Sequence, residues 1–236
     1  MRDTVSLPLV YLHSVQLMTL FDGEPEITSW RRESISNFAS DLKQLNHITP
    51  LVIAIDSRSG GGKTTLARHL AQSLPATVLS TDDFAWWHSY FDWAEMLIAN
   101  AIEPLRAGRS IDYRPEAWIE RDRPGSIRAE PADVIVVEGV GAAQTSMRDA
   151  VDVIIWVQAD ADIARERGLA RDLAERPDPQ EAMRFWDEWM QHENPFQATQ
   201  RTWEVADYIV LGTATPAADP DTVFIAEALE NAHACG

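Results

Sequence analysis

The feature that most limits what this chain can become is the run Asp56-Ser57-Arg58-Ser59-Gly60-Gly61-Gly62-Lys63-Thr64-Thr65. An apolar β-branched stretch, Leu51 to Ile55, precedes it and reads as a buried strand. After it, Leu66, Leu70 and Leu74 recur every fourth residue, the spacing of a helix that lays one stripe on a sheet, and Pro75 closes that helix. Strand, glycine loop and helix form one local unit. Successive glycines let backbone N–H groups turn into a concavity that holds phosphate oxygens, and the helix N-terminus adds its positive end. The run fits G-x-x-x-x-G-K-[ST], with Ser57 in place of the first glycine. If the backbone at Ser57 needs a positive φ, the serine costs on the order of 1 kcal/mol there.

Thr77 to Ser80, Val134 to Val137, Val151 to Val157 and Tyr208 to Leu211 read as four further strands, with helical patterns in the gaps. Alternating strands and helices imply an α/β fold. The expected form is a P-loop NTPase three-layer sandwich: a mostly parallel five-stranded sheet with helices on both faces and ligands at the carboxyl ends of the strands. Upstream, Ile27, Trp30, Ile35, Phe38, Leu42 and Leu45 recur at helical spacing, predicting an amphipathic helix over 26–46 that His47, Thr49 and Pro50 stop. The expected division is an N-terminal extension with this helix over 1–47 and a main domain over 48–236. Within the latter, 109–130 is rich in Arg, Pro and Glu and reads as an irregular or hairpin excursion.

At 236 residues the chain suits one α/β domain with excursions. A net charge of −17 excludes a basic grip on nucleic acid or on an anionic membrane, so any phosphate site must be local. Lys43 and Lys63 are the two lysines, which makes a lysine inside a glycine run conspicuous. The single cysteine, Cys235, excludes an internal disulfide framework and a multi-cysteine zinc site, and fits a reducing, cytoplasmic compartment. The apolar stretch from Thr4 to Leu20 is interrupted by His13 and Gln16, lacks a cleavage pattern, and no run reaches membrane-spanning length.

Lys63 is placed to reach the β- and γ-phosphates, and the Thr64 hydroxyl to ligate Mg²⁺. Ser80-Thr81-Asp82-Asp83-Phe84 ends the second strand with two carboxylates; Asp82 is the candidate general base, with a helix N-cap as the alternative. The strand Val134 to Val137 ends in Glu138-Gly139, so Glu138 is the second candidate metal acid. Arg165, Arg167 and Arg171 lie in a helical stretch, and the last two, four apart, share a face. They could clamp the transferred phosphoryl or pair with Glu166, Asp172 or Glu175. Phe185, Trp186 and Trp189 form an aromatic cluster read as packing.

In this order the motifs resemble the uridine kinase family of P-loop kinases over roughly 50–215. Gly60 to Thr65 resembles the family's ATP loop, Asp82 and Phe84 its D-x-F, Phe91-Asp92 its ribose-contacting F-D and Glu138-Gly139 its metal-site E-G. Arg171-Asp172 resembles its lid R-D, which implies a helical lid over 162–180, and Ala206-Asp207-Tyr208-Ile209-Val210 resembles its last strand. The resemblance implies a kinase that uses ATP and Mg²⁺ to phosphorylate a hydroxyl of a small molecule, first of all a nucleoside such as uridine or cytidine. A non-nucleoside alcohol (pantothenate-like, a sugar or an antibiotic) and a non-catalytic nucleotide-binding regulator are the alternatives.

The implied roles are ATP binding by Ser59, Gly60, Gly61, Gly62, Lys63, Thr64 and Thr65; metal binding by Thr64 and Glu138; and catalysis by Asp82, Lys63, Arg167 and Arg171. Asp83, Phe84, Asp92, Tyr113, Trp118 and Arg165 are assigned to the acceptor, Asp92 as partner of a sugar diol. Where the family has Tyr-Asp followed by an aromatic, this chain has Glu116-Ala117-Trp118, and Trp86, Trp87 and His88 are candidates to rebuild the pocket wall. A homo-oligomer is left open.

Overall fold

The structure, a computed structural model, describes residues 18–45, 49–176, 178–212 and 221–226. Most of the Thr4 to Leu20 stretch, the helix stop at His47 and Cys235 lie outside them. Seven strands, β1 (Trp30–Ser34), β2 (Leu51–Asp56), β3 (Ala76–Ser80), β6 (Val134–Glu138), β7 (Val153–Gln158), β8 (Tyr208–Leu211) and β9 (Thr222–Ala226), form one sheet in the order β1-β9-β8-β7-β2-β6-β3. β4 (Ile111–Tyr113) and β5 (Ile127–Ala129) form a separate antiparallel pair. The helices are α1 (Ile35–Leu45), α2 (Lys63–Ser73), α3 (Thr81–Ala85), α4 (94–106, with a π-helical turn at Ile98–Ile102), α5 (Glu116–Glu120), α6 (Ala161–Glu175) and α7 (Pro179–Gln200).

The fold is α/β with a mostly parallel sheet. β2 and β3 each run parallel to β6, and β7 runs parallel to β8. Every residue of β2, β6 and β7 is buried, as expected of parallel strands covered on both faces. The excursion read as irregular or hairpin over 109–130 contains β4 and β5, an antiparallel pair joined through α5, with Ile111 opposite Ala129 and Tyr113 opposite Ile127.

Two strands were not among the five expected. Residues 30–34 form β1 rather than the first turns of a helix, and β9 pairs antiparallel with both β1 and β8. Trp30 and Ile35 do fit the helical spacing of Phe38 and Leu42, which is why the sequence reads as one helix. What overrides it is the pairing of β1 with β9, Trp30 opposite Ala226 and Ser34 opposite Thr222, at the far end of the chain. α1 begins at Ile35, whose amide bonds the Asp221 carbonyl at 2.8 Å, and it buries Phe38 and Leu42 completely.

The described residues divide into two compact units, one made of those up to 35, 57–63 and those from 155 onward, the other of those within 36–56 and 64–154. No helix among the described residues is long and apolar enough to cross a membrane.

Candidate active site

In the first unit, the loop after β2 turns on its glycines. Gly60 (φ 75) and Gly62 (φ 107) occupy backbone conformations that L side chains resist. A Cβ on Gly60 would meet the Ala164 carbonyl oxygen at 2.0 Å, and one on Gly61 would meet Ser57 Oγ at 1.9 Å. Ser57 itself is not among the positive-φ residues of the described chain, so the cost considered for it does not arise. Its hydroxyl instead donates to the Val157 carbonyl at 2.6 Å and ties the loop to β7. Lys63 is 8% exposed, and its ammonium donates to the carbonyls of Ser57 at 3.3 Å and Arg58 at 3.1 Å.

α7 brings Trp189, Glu193 and Gln197, one turn apart, against this loop. The Ser59 amide donates to Glu193 Oε1 at 2.8 Å, and the Trp189 indole N–H donates to Ser59 Oγ at 2.7 Å and to Glu193 Oε2. Gln197 donates to the Ser57 carbonyl at 3.4 Å. Arg58 lies 3.5 Å from Glu24 and stacks 4.2 Å from the Phe21 ring centre. Burial pulls its guanidinium below the usual arginine range, opposed by the carboxylates of Glu24 and Glu193. Sequence reasoning read Trp189 as packing and missed Glu24, Glu193 and Gln197. The one trace of the α7 set is the four-residue spacing on a helix face.

On α6, Arg167 donates to the Gly212 carbonyl at 2.8 Å. Arg171 pairs with Asp172 at 3.1 Å, the pairing weighed as the alternative to a phosphoryl clamp. Arg165 is exposed on the same helix.

In the second unit, Thr64 on the first turn of α2 donates its hydroxyl to Glu138 Oε2 at 3.0 Å, at the end of β6. A hydroxyl and a carboxylate are hard oxygen donors of the kind Mg²⁺ takes, so the residues present fit that ion. Gly139 (φ 145) lets the chain turn away, since a Cβ there would meet Thr81 Oγ1 at 1.8 Å. Asp56, fully buried at the end of β2, accepts the amides of Gly141 at 3.0 Å and Ala143 at 3.3 Å and so fixes the turn after Glu138. Thr65 is exposed on α2.

Asp82 is exposed in the first turn of the five-residue α3, and no hydrogen bond of its carboxylate occurs among the described residues. Its neighbours are engaged. Asp83 pairs with Arg123 at 2.8 Å, and its carbonyl accepts the Trp118 indole N–H at 3.0 Å. The Arg123 guanidinium lies 3.5 Å over Trp118 and 4.9 Å over Trp86. Phe84 is fully buried and stacks on Tyr113, whose phenol burial pushes above its usual range, with Glu116 adding to the shift. Asp92 is exposed; its amide bonds Ser89 Oγ at 3.1 Å and its carbonyl meets His88 Nε2 at 2.9 Å. Trp87 is 67% exposed at φ 54, with the Arg121 guanidinium 4.3 Å over its ring.

Residues 89–210, just over half of the chain, match the family described as Phosphoribulokinase / Uridine kinase. A uridine kinase of Streptococcus agalactiae serotype V is 30% identical over 146 residues, covering 54% of this chain and 70% of that protein. The uridine kinase of Streptococcus gordonii is 29% identical over the same shares. In fold, the chain is similar to the solved structure of a candidate fructose transport system kinase from Silicibacter sp. TM1040. The TM-score is 0.50 and the identity 19%, with 74% of this chain and 95% of that one covered. Because the matched residues make up more than half of the chain and include Glu138, the partner of the loop threonine, this chain belongs to the phosphoribulokinase / uridine kinase family.

Proposed function

We propose that the chain is a kinase that uses ATP and Mg²⁺ to phosphorylate a hydroxyl of a small molecule, with a nucleoside as the first acceptor class. The observation that carries this is the contact of Thr64 with Glu138, a metal-type oxygen pair that begins one residue after the loop lysine. The backbone amides of Gly60, Gly62, Lys63, Thr64 and Thr65, with the Lys63 ammonium, hold the phosphate tail, while Ser59 and Gly61, whose amides are engaged by Glu193 and by the Arg58 carbonyl, shape the loop. Thr64 and Glu138 hold the cation. When bound, Mg·ATP supplies the phosphoryl group and draws negative charge off it.

Asp82 takes the acceptor's hydroxyl proton, and its unpaired carboxylate in an exposed first turn suits that role. Asp92 receives a sugar diol. Arg167 and Arg171 leave their present partners to screen the moving charge, and Arg165 guides the acceptor. α6 serves as part of a lid that excludes water, the competing acceptor.

One observation favours a second reading, a non-nucleoside alcohol. Arg123 covers a face of Trp118, so the residue closest to the family's aromatic position is already stacked within the protein. ATP consumption across a panel of nucleosides and other alcohols separates the two. One acceptor class should turn over, and Asp82→Asn should lower kcat about 10²–10⁴-fold with nucleotide affinity retained. Unchanged consumption in that variant rejects the mechanism; no heat and no thermal protection with Mg·ATP rejects the kinase reading altogether.

A further inference from the structure

Glu193 has no solvent exposure, and a buried carboxylate is costly unless donors meet its oxygens. Here the donors are a backbone amide of the glycine loop and an indole: Ser59 N–H on Oε1, Trp189 Nε1–H on Oε2. Ser59 is held at a second atom, since the same indole N–H reaches its Oγ at 2.7 Å. Ser59 directly precedes Gly60, where the chain enters its left-handed turn.

We infer that Glu193, with Trp189 as its donor partner, is a positioning residue for the nucleotide loop. It fixes the peptide plane at Ser59, so that the amides of Gly60, Gly62 and Lys63 are fanned before any ligand arrives, the Gly61 amide closing the turn onto the Arg58 carbonyl at 3.0 Å. The Ser59 amide is engaged by Glu193 and is not a phosphate donor. Ordering done in advance does not have to be drawn from binding energy, so the contribution falls on nucleotide affinity rather than on chemistry. This rests on the loop being the ATP site.

The chemistry of the triad supplies its own test. In Glu193→Gln the side-chain NH₂ must face either the Ser59 N–H or the Trp189 N–H, donor against donor. Trp189→Phe removes the indole donor. In the double variant the glutamine oxygen can accept the Ser59 amide while its NH₂ no longer faces an indole N–H. Hydrogen exchange of residues 59–63 in the free protein, Mg·ATP affinity and kcat are measured on the three variants.

Glu193→Gln should speed exchange about tenfold and raise the KM for ATP about tenfold with kcat within about twofold, a factor of ten corresponding to about 1.4 kcal/mol. Trp189→Phe/Glu193→Gln should recover most of both. Wild-type exchange and affinity in Glu193→Gln, or a double variant no better than the single one, overturns the inference in favour of plain helix packing. If Glu193→Gln does not fold, Trp189→Phe alone, which removes one donor and keeps the carboxylate, must still speed exchange or the inference falls. If the native protein binds no Mg·ATP yet exchange follows this pattern, the ATP reading falls and the positioning role stands.

Discussion

Gly60 and Gly62 share a left-handed backbone but differ in what surrounds them. A Cβ at Gly60 would strike backbone, the Ala164 carbonyl oxygen at 2.0 Å, which cannot rotate aside; at Gly62 the nearest atom is 3.4 Å away. Gly62→Ala should therefore cost about 1–2 kcal/mol, the contribution of the conformation alone. Gly60→Ala should cost more and lose Mg·ATP binding. Urea unfolding and calorimetry check this, and equal losses would refute the packing argument. Glu138→Gln weakens the oxygen pair with Thr64 and should raise the Mg²⁺ needed for half-maximal activity about tenfold or more; an unchanged requirement would remove Glu138 from the metal site. The glycine turn and the strand-end positions of Asp82 and Glu138 were legible because each is a short string in a strand-end context. Glu193 was not: it meets Ser59 across 134 positions of sequence, and no local pattern marks a glutamate that folding will bury.

Among the elements, α6 and α7 meet where Gly168 faces Trp186. An ideal Cβ on Gly168 would lie 1.8 Å from the edge of that indole, which is 4% exposed. Two effects oppose each other in Gly168→Ala. Alanine gains about 0.8–1 kcal/mol of helix propensity, whereas overpacking costs about 1–3 kcal/mol. Packing should win and the variant should be less stable. In a Trp186→Leu background the clash is relieved and the same substitution should stabilise; denaturant titration of both pairs reads the sign. If Gly168→Ala destabilises equally in both backgrounds, the indole is not the cause. β2, β6 and β7 were legible as apolar β-branched runs because burial on both faces demands them, while β3, at the sheet edge with only Leu79 buried, and β8 were legible from shorter runs of the same kind. β1 was not, because Arg31, Arg32 and Glu33 lack that signature and the strand exists through β9. β9 is a short strand with one of its partners at the opposite end of the sequence.

For the molecule as a whole, a net charge of −17 means that like charges repel across the folded state. Raising NaCl from about 0.01 M to about 0.15 M shortens the screening length from roughly 30 Å to roughly 8 Å, so Tm should rise. A flat or falling Tm would show that the acidic groups are already balanced locally, as Glu24 is by Arg58. The pairing of β1 with β9 bears on how the chain is made. During synthesis from the N-terminus, residues 36–56 and 64–154 are all available once residue 154 has left the ribosome. β1 then still waits for residues 222–226. The unit that holds the glycine loop is thus the last to be completed, and a nascent chain halted before β9 carries an unpaired strand edge at β8.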